Sequence, residues 1–185
     1  MERRDERGGN PSLRASERTE AWSGRSAFAG CSDRPHLLAA LLRTIGYQEA
    51  TPDAVLGTLK AACVDLLVDV RAVAASRRPG FSKRQLAAGA EAAGIGYLHL
   101  RGLGTPAEGR RAARAGRHEE MRRIYGAHLA TADAQAELQE LASIVESGRQ
   151  VCLLCFERQP EHCHRTIVAE ALAARTEVAV DHLLP

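Results

Sequence analysis

The sequence predicts an α/β fold: a single three-layer domain with a mostly parallel sheet of about five strands and helices on both faces. Three observations carry this expectation. Short apolar runs alternate with helix-length segments in the order β-α-β-α-β-α-α-β-α-β. The clearest run, at residues 65–71, is nearly continuously apolar, as expected of a strand buried on both sides. Each of the first four runs also gives way to a polar motif at its carboxyl end.

The elements follow in order. Residues 42–47 form the first expected strand, ending at Gly46. Thr51 is placed to cap a helix with Pro52 at its first position, running to about Cys63. The compact run 65–71 is the second strand, and Ser82 can cap a helix that stops near Gly94. Residues 95–100 are the third strand, followed by a loop containing Gly104 and Pro106. Residues 106–129 read as helical but heavily charged, and 133–147 as a further helix stopping at Gly148. Residues 150–157 form the fourth strand, 164–175 the last helix and 177–183 the last strand. No internal repeat is visible.

The 185 residues, 45% hydrophobic and 26% charged, are ordinary usage for one globular domain. Aromatics are only 4%, so the core is expected to be mainly Ala, Leu and Val. Residues 1–35 mix seven Arg with six acids and many Ser and Gly, which predicts a disordered tail ahead of a single domain at 36–185. The acids argue against a mitochondrial transit peptide. The five cysteines are an odd count without disulfide-like spacing, and no apolar signal segment precedes them. No stretch approaches the roughly 20 apolar residues of a membrane span. A cytoplasmic protein with no membrane partner is the expectation.

The net charge of +2 conceals an asymmetry. Residues 71–123 hold twelve Arg or Lys against four Glu, a net of +8, whereas 124–185 hold four against nine, a net of −5. Lys60 and Lys83 are the only lysines, so the positive charge is almost all guanidinium. A central basic block on a near-neutral chain suggests a local anionic partner more than nonspecific coating of nucleic acid.

Ligands of open parallel sheets bind beyond the carboxyl ends of the strands. Four polar motifs fall there: Gly46 with Tyr47, the loop 71–83, the segment 99–106, and the segment 157–165. In the second motif Arg71, Arg77 and Arg78 can form paired hydrogen bonds to phosphate or carboxylate oxygens. Ser76 and Lys83 add donors, and the loop enters a helix N-terminus at Ser82. Asp69, at the strand end, can orient Arg71 or act as a general base. Tyr97 and His99 alternate on their strand and so share a face, and His99 is a proton-transfer candidate.

The last motif runs Cys152-Leu-Leu-Cys155-Phe-Glu157 and then His162-Cys163-His164-Arg165. Residues three apart on a strand face opposite sides, so Cys152 and Cys155 cannot readily chelate one ion. Cys155, Cys163 and either histidine can still converge across the loop. Cys163 near a helix start is a candidate nucleophile. Ala169 stands where a cysteine phosphatase needs its arginine. Glu157 can serve as acid or base or hold Arg165, and Arg165 with His164 can join the anion site.

Taken together, Thr44-Ile-Gly-Tyr47, Val68-Asp-Val-Arg71, Ser76-Arg-Arg-Pro-Gly-Phe-Ser-Lys83, Gly94-Ile-Gly-Tyr-Leu-His99, Leu103-Gly-Thr-Pro106 and Cys155-Phe-Glu with Cys163-His-Arg165 resemble domain of unknown function 488. The resemblance spans about residues 42–183 and departs at Ala74 and Ala75, where the family commonly carries a proline before the Ser-Arg. It implies a Rossmann-like fold and a shared polar pocket, with no established reaction. Carried over, that pocket would comprise Asp69, Arg71, Ser76, Arg77, Lys83, Tyr97, His99, Cys155, Glu157, Cys163, His164 and Arg165.

The leading functional expectation is an enzyme or enzyme-like domain that binds a small phosphorylated or nucleotide-like anion at an arginine-rich rim. Arg71, Arg77 and Arg165 would hold the anion and His99 or Glu157 would move protons. No cofactor and no metal ligand is assigned. The alternatives are a nucleic-acid-binding module using the basic block 71–123, and a zinc-stabilised interaction domain.

Overall fold

A computed structural model describes residues 40–185. The tail expected at 1–35 and the first residues of the expected domain lie outside this range. Five strands form one sheet in the order β3-β2-β4-β1-β5, with every neighbouring pair parallel. They are β1 (Ala40–Gly46), β2 (Leu66–Asp69), β3 (Gly96–His99), β4 (Val151–Cys155) and β5 (Val178–Leu183). The register aligns Gly46 with Cys155, Asp69 with Leu154, and Asp69 with His99, so the motif-bearing strand ends come out level.

The helices divide between the two faces. The first layer holds α1 (Pro52–Ala61) and α2 (Lys83–Ala92), which cover Ile45, Leu67, Cys152 and Leu154 of the sheet. The second layer is built from α3 (Ala107–Arg114), α4 (His118–Leu129), α5 (Ala132–Glu146) and α6 (His164–Ala173). It covers Leu42, Leu66, Val68, Leu153 and Cys155. Successive strand residues therefore enter opposite cores, and Cys152 and Cys155 lie on opposite faces of β4. The result is a three-layer α/β fold packed mainly with Ala, Leu and Val, with Tyr47, Phe81 and Tyr125 among the bulky exceptions. Among the described residues no helix is long and apolar enough to cross a membrane.

Local chemistry explains the boundaries. The Thr51 hydroxyl accepts the Ala54 N–H at 3.2 Å, and Pro52 opens α1. Thr131 caps α5 in the same way. The stretch 106–129, expected as one helical segment, is two helices. Gly116 has φ +73°, a left-handed conformation that stops α3 before α4 begins at His118. Arg110, Ala113 and Arg114 put one face of α3 on the crevice beyond the strand ends.

The topology fixes the crevice itself. Strand β4 lies between β2 and β1, yet the chain leaves β4 toward the second layer and leaves β1 and β2 toward the first. Loops that part to opposite faces leave a gap between them at the carboxyl ends of the strands.

Candidate functional site

That gap is a cavity of about 470 Å3. Its wall draws on the segments after all of the first four strands: Tyr47, residues 71–73 and 75–78, Thr105, and residues 155–157 and 162–164, with one face of α3 closing the side. Three layers of side chains can be distinguished around it.

The first is a buried hydrogen-bonded frame that reaches the wall through Arg71 and Tyr47. Asp69 accepts from Arg71 Nε at 2.8 Å and Nη2 at 2.6 Å, from the Arg71 backbone N–H at 3.1 Å, and from Tyr97 OH at 2.6 Å. Arg71 Nη1 donates to Tyr47 OH at 2.8 Å and to the Phe81 carbonyl at 2.9 Å. Tyr47 stacks on Phe81 with centroids 4.2 Å apart and meets Phe156 edge-on. Burial works against the Arg71 charge, but Asp69 more than offsets it and keeps the guanidinium protonated. Burial also pushes the Tyr97 hydroxyl above its ordinary value, with the Asp69 charge acting in the same direction, so Tyr97 remains a donor. His99 Nε2 lies 2.8 Å from the Arg71 carbonyl, which can only accept, so Nε2 carries the proton there.

A second part of the frame holds the loop after β4. Arg165 is fully buried and donates from Nε to Thr44 at 3.2 Å, from Nη1 to the Glu157 carbonyl and from Nη2 to the Arg158 carbonyl at 3.0 Å. The fit is close: a Cβ at Gly46 would overlap the Glu157 carbonyl oxygen. Glycine is needed here for space.

The second layer is the cationic rim. Arg78 reaches the Ala50 carbonyl at 2.7 Å and lies over the Phe81 ring at 6.0 Å, while Ser76 Oγ accepts the Arg78 backbone N–H. Arg110 donates to the Thr105 carbonyl at 2.7 Å. Arg77 and Arg114 line the same space, are exposed, and have no hydrogen-bond partner among the described residues. Among the described residues Glu157 is the one carboxylate in the wall. Burial, followed by the neighbouring Cys163, raises its pKa against the opposing charge of Arg165. His162 stands at the edge, stacked on His118 at 4.2 Å.

The third layer is the floor. Cys155 ends β4, and Cys163 and His164 open α6. His164 Nδ1 is 3.6 Å from Cys155 Sγ and 3.9 Å from Cys163 Sγ, while its Nε2 lies 2.8 Å from the Val70 carbonyl. The contact with Cys163 and then burial hold the Cys155 thiol well above its ordinary pKa. Burial acts the same way on Cys163, but Cys155, His164 and the charge of Arg165 outweigh it, leaving Cys163 well below the ordinary thiol value.

Of the residues expected from sequence, Arg71, Ser76, Arg77, Arg78, Cys155, Glu157, Cys163 and His164 line the cavity. Asp69, Tyr97, His99 and Arg165 stand behind the wall with their polar atoms engaged by the protein. Lys83 is exposed and outside the wall, and its backbone N–H donates to the Ala74 carbonyl at 2.8 Å. The start of α2 therefore does not face the cavity. Arg114 also lines the cavity and was not among the residues expected from sequence. Its signal was its place one turn beyond Arg110, which puts both on one helix face.

A family model described as domain of unknown function DUF488 matches residues 51–172. No curated protein and no solved structure matches the chain.

Proposed function

The chain belongs to the DUF488 family, and from that premise we propose that its cavity binds a small phosphorylated or nucleotide-like anion and acts on it as an enzyme. The family carries no reaction with it, so the support comes from the site. The observation that carries the reading is the pairing of Arg77 and Arg114, two guanidinium groups without hydrogen-bond partners among the described residues, across one concave space. Guanidinium forks match phosphate oxygens with two parallel hydrogen bonds. Arg78 and Arg110 face the same space, with the carboxylate of Glu157 opposing them. A cavity of about 470 Å3 suits a metabolite-sized ligand.

The geometry favours a small anion over a nucleic acid. Part of the basic block 71–123 turns inward or is already engaged: Arg71 is buried, Arg117 pairs with Glu120, and Arg122 donates to the Glu161 carbonyl. Within the cavity Glu157 is placed to move a proton, and the Cys155, Cys163 and His164 floor is where the bound anion would meet reactive groups.

Calorimetric titration with inorganic phosphate, nucleoside mono- and diphosphates and sugar phosphates tests the reading. At least one should bind, and each of Arg77→Ala and Arg114→Ala should weaken it by about tenfold or more, given about 1.5–3 kcal/mol per hydrogen bond to a charged group. No binding across the series, or equal affinity in the double variant, removes the proposal. Binding only to RNA or DNA with a steep salt slope would put a polyanion in its place.

A further inference from the structure

We propose that Cys155, Cys163 and His164 form a zinc(II) site whose remaining coordination position opens into the arginine-lined cavity. The C-x-x-C spacing of Cys152 and Cys155 is not part of it, because those sulfurs lie on opposite faces of β4. Instead the end of β4 supplies one thiol, and the loop that Arg165 holds brings back a second thiol and an imidazole.

The distances fit a metal. A tetrahedral zinc with Zn–S near 2.3 Å and Zn–N near 2.0 Å places sulfur and nitrogen ligands about 3.5–3.6 Å apart. The imidazole nitrogen lies 3.6 and 3.9 Å from the two sulfurs, and all three donor atoms fall within 4.8 Å of one another. Direct hydrogen bonding does not require such a triangle, and 3.9 Å is long for a bond from sulfur to nitrogen.

The orientation of His164 fits as well. A carbonyl oxygen only accepts, so the 2.8 Å contact with Val70 fixes the proton on Nε2 and leaves the Nδ1 lone pair aimed between the sulfurs. A ligating histidine is ordinarily held this way, with its far nitrogen donating to a carbonyl or carboxylate. Two thiolates with one imidazole form a set suited to zinc. The two negative charges that zinc would neutralise sit in a place that is otherwise costly for them, since all three residues are buried.

Access completes the case. Cys155, Cys163 and His164 all line the cavity wall. Three protein ligands leave a position for water or a ligand oxygen, the arrangement of reactive rather than purely structural zinc. Glu157 lines the same space. The donor set does not depend on whether the cavity takes an anion.

Full-length protein, reduced and reconstituted with zinc or cobalt(II), tests the site by elemental analysis and absorption spectroscopy. One equivalent of zinc should bind per chain. Cobalt should give the intense visible bands of a tetrahedral ion together with thiolate-to-cobalt charge transfer. Cys155→Ala and His164→Ala should each lose the metal, and Cys152→Ala should keep it. Only trace metal in the reduced wild type, a cobalt spectrum without thiolate charge transfer, or equal loss in Cys152→Ala overturns the proposal. Should a variant fail to fold by circular dichroism, the wild-type cobalt spectrum still decides, because it reports sulfur ligation directly. The Arg77→Ala, Arg114→Ala variant should retain its metal, which separates failure of this site from failure of the anion reading.

Discussion

Arg71 and Arg165 occupy one kind of place in this molecule, and Arg77 and Arg114 another. The first pair is buried, and its donors are engaged by Asp69, Tyr47, Thr44 and backbone carbonyls. The second pair is exposed in the cavity wall and has no hydrogen-bond partner among the described residues. Both kinds follow strand ends or line the same crevice, and both carry the same charge. What separates them is whether the protein has already satisfied the guanidinium. A satisfied arginine holds the shape of the site, and an unsatisfied one is available to a ligand.

Removing parts of the frame should therefore damage folding first. Asp69→Ala leaves the buried Arg71 charge without its counterion, and it should cost about 3–5 kcal/mol of stability, read from chemical denaturation. A loss under about 1 kcal/mol would mean that Arg71 finds water or another partner, which the buried network argues against. Arg165→Met should come next. It strips the donors from the Glu157 and Arg158 carbonyls and should loosen the loop that carries Cys163. Faster amide exchange confined to residues 156–165 is the expected signature, and unchanged protection there would detach Arg165 from loop shape. Tyr97→Phe takes one donor of four from Asp69. About 1.5–3 kcal/mol is the scale for a hydrogen bond to a charged group, and its loss should leave Arg71 in place.

This contrast also marks how far the sequence could be read. The strands were legible because apolar runs such as residues 66–68 admit little else, and the parallel order followed from the intervening helices. The break between α3 and α4 was missed because the arginines, alanines and glutamates on both sides favour helix, while only Gly116, at φ +73°, stops it. The level strand ends located the cavity. The state of each donor was not legible. Nothing near Arg165 in the chain announces that its partners are its own loop carbonyls, since those contacts exist only once the loop has closed over Gly46. The alternation of a strand was enough to separate Cys152 from Cys155, but bringing Cys155 to Cys163 and His164 required that closed loop.

The rim should give the opposite pattern from the frame, with the smallest effect on stability. Arg77→Ala and Arg114→Ala remove exposed side chains without partners among the described residues, so each should change stability by no more than about 0.5 kcal/mol. Their effect belongs in binding, and the form of that effect sharpens the contrast further. Arg77 lies in the loop after β2 and Arg114 on α3, so no backbone element joins them. If one anion bridges both, a double-mutant cycle on its affinity should show a coupling of about 0.5–3 kcal/mol. Strict additivity would place the two arginines on separate groups of a longer ligand, as a nucleoside diphosphate would allow. A matching loss of stability would move both arginines into the frame, and the division between satisfied and available guanidinium groups would no longer describe this cavity.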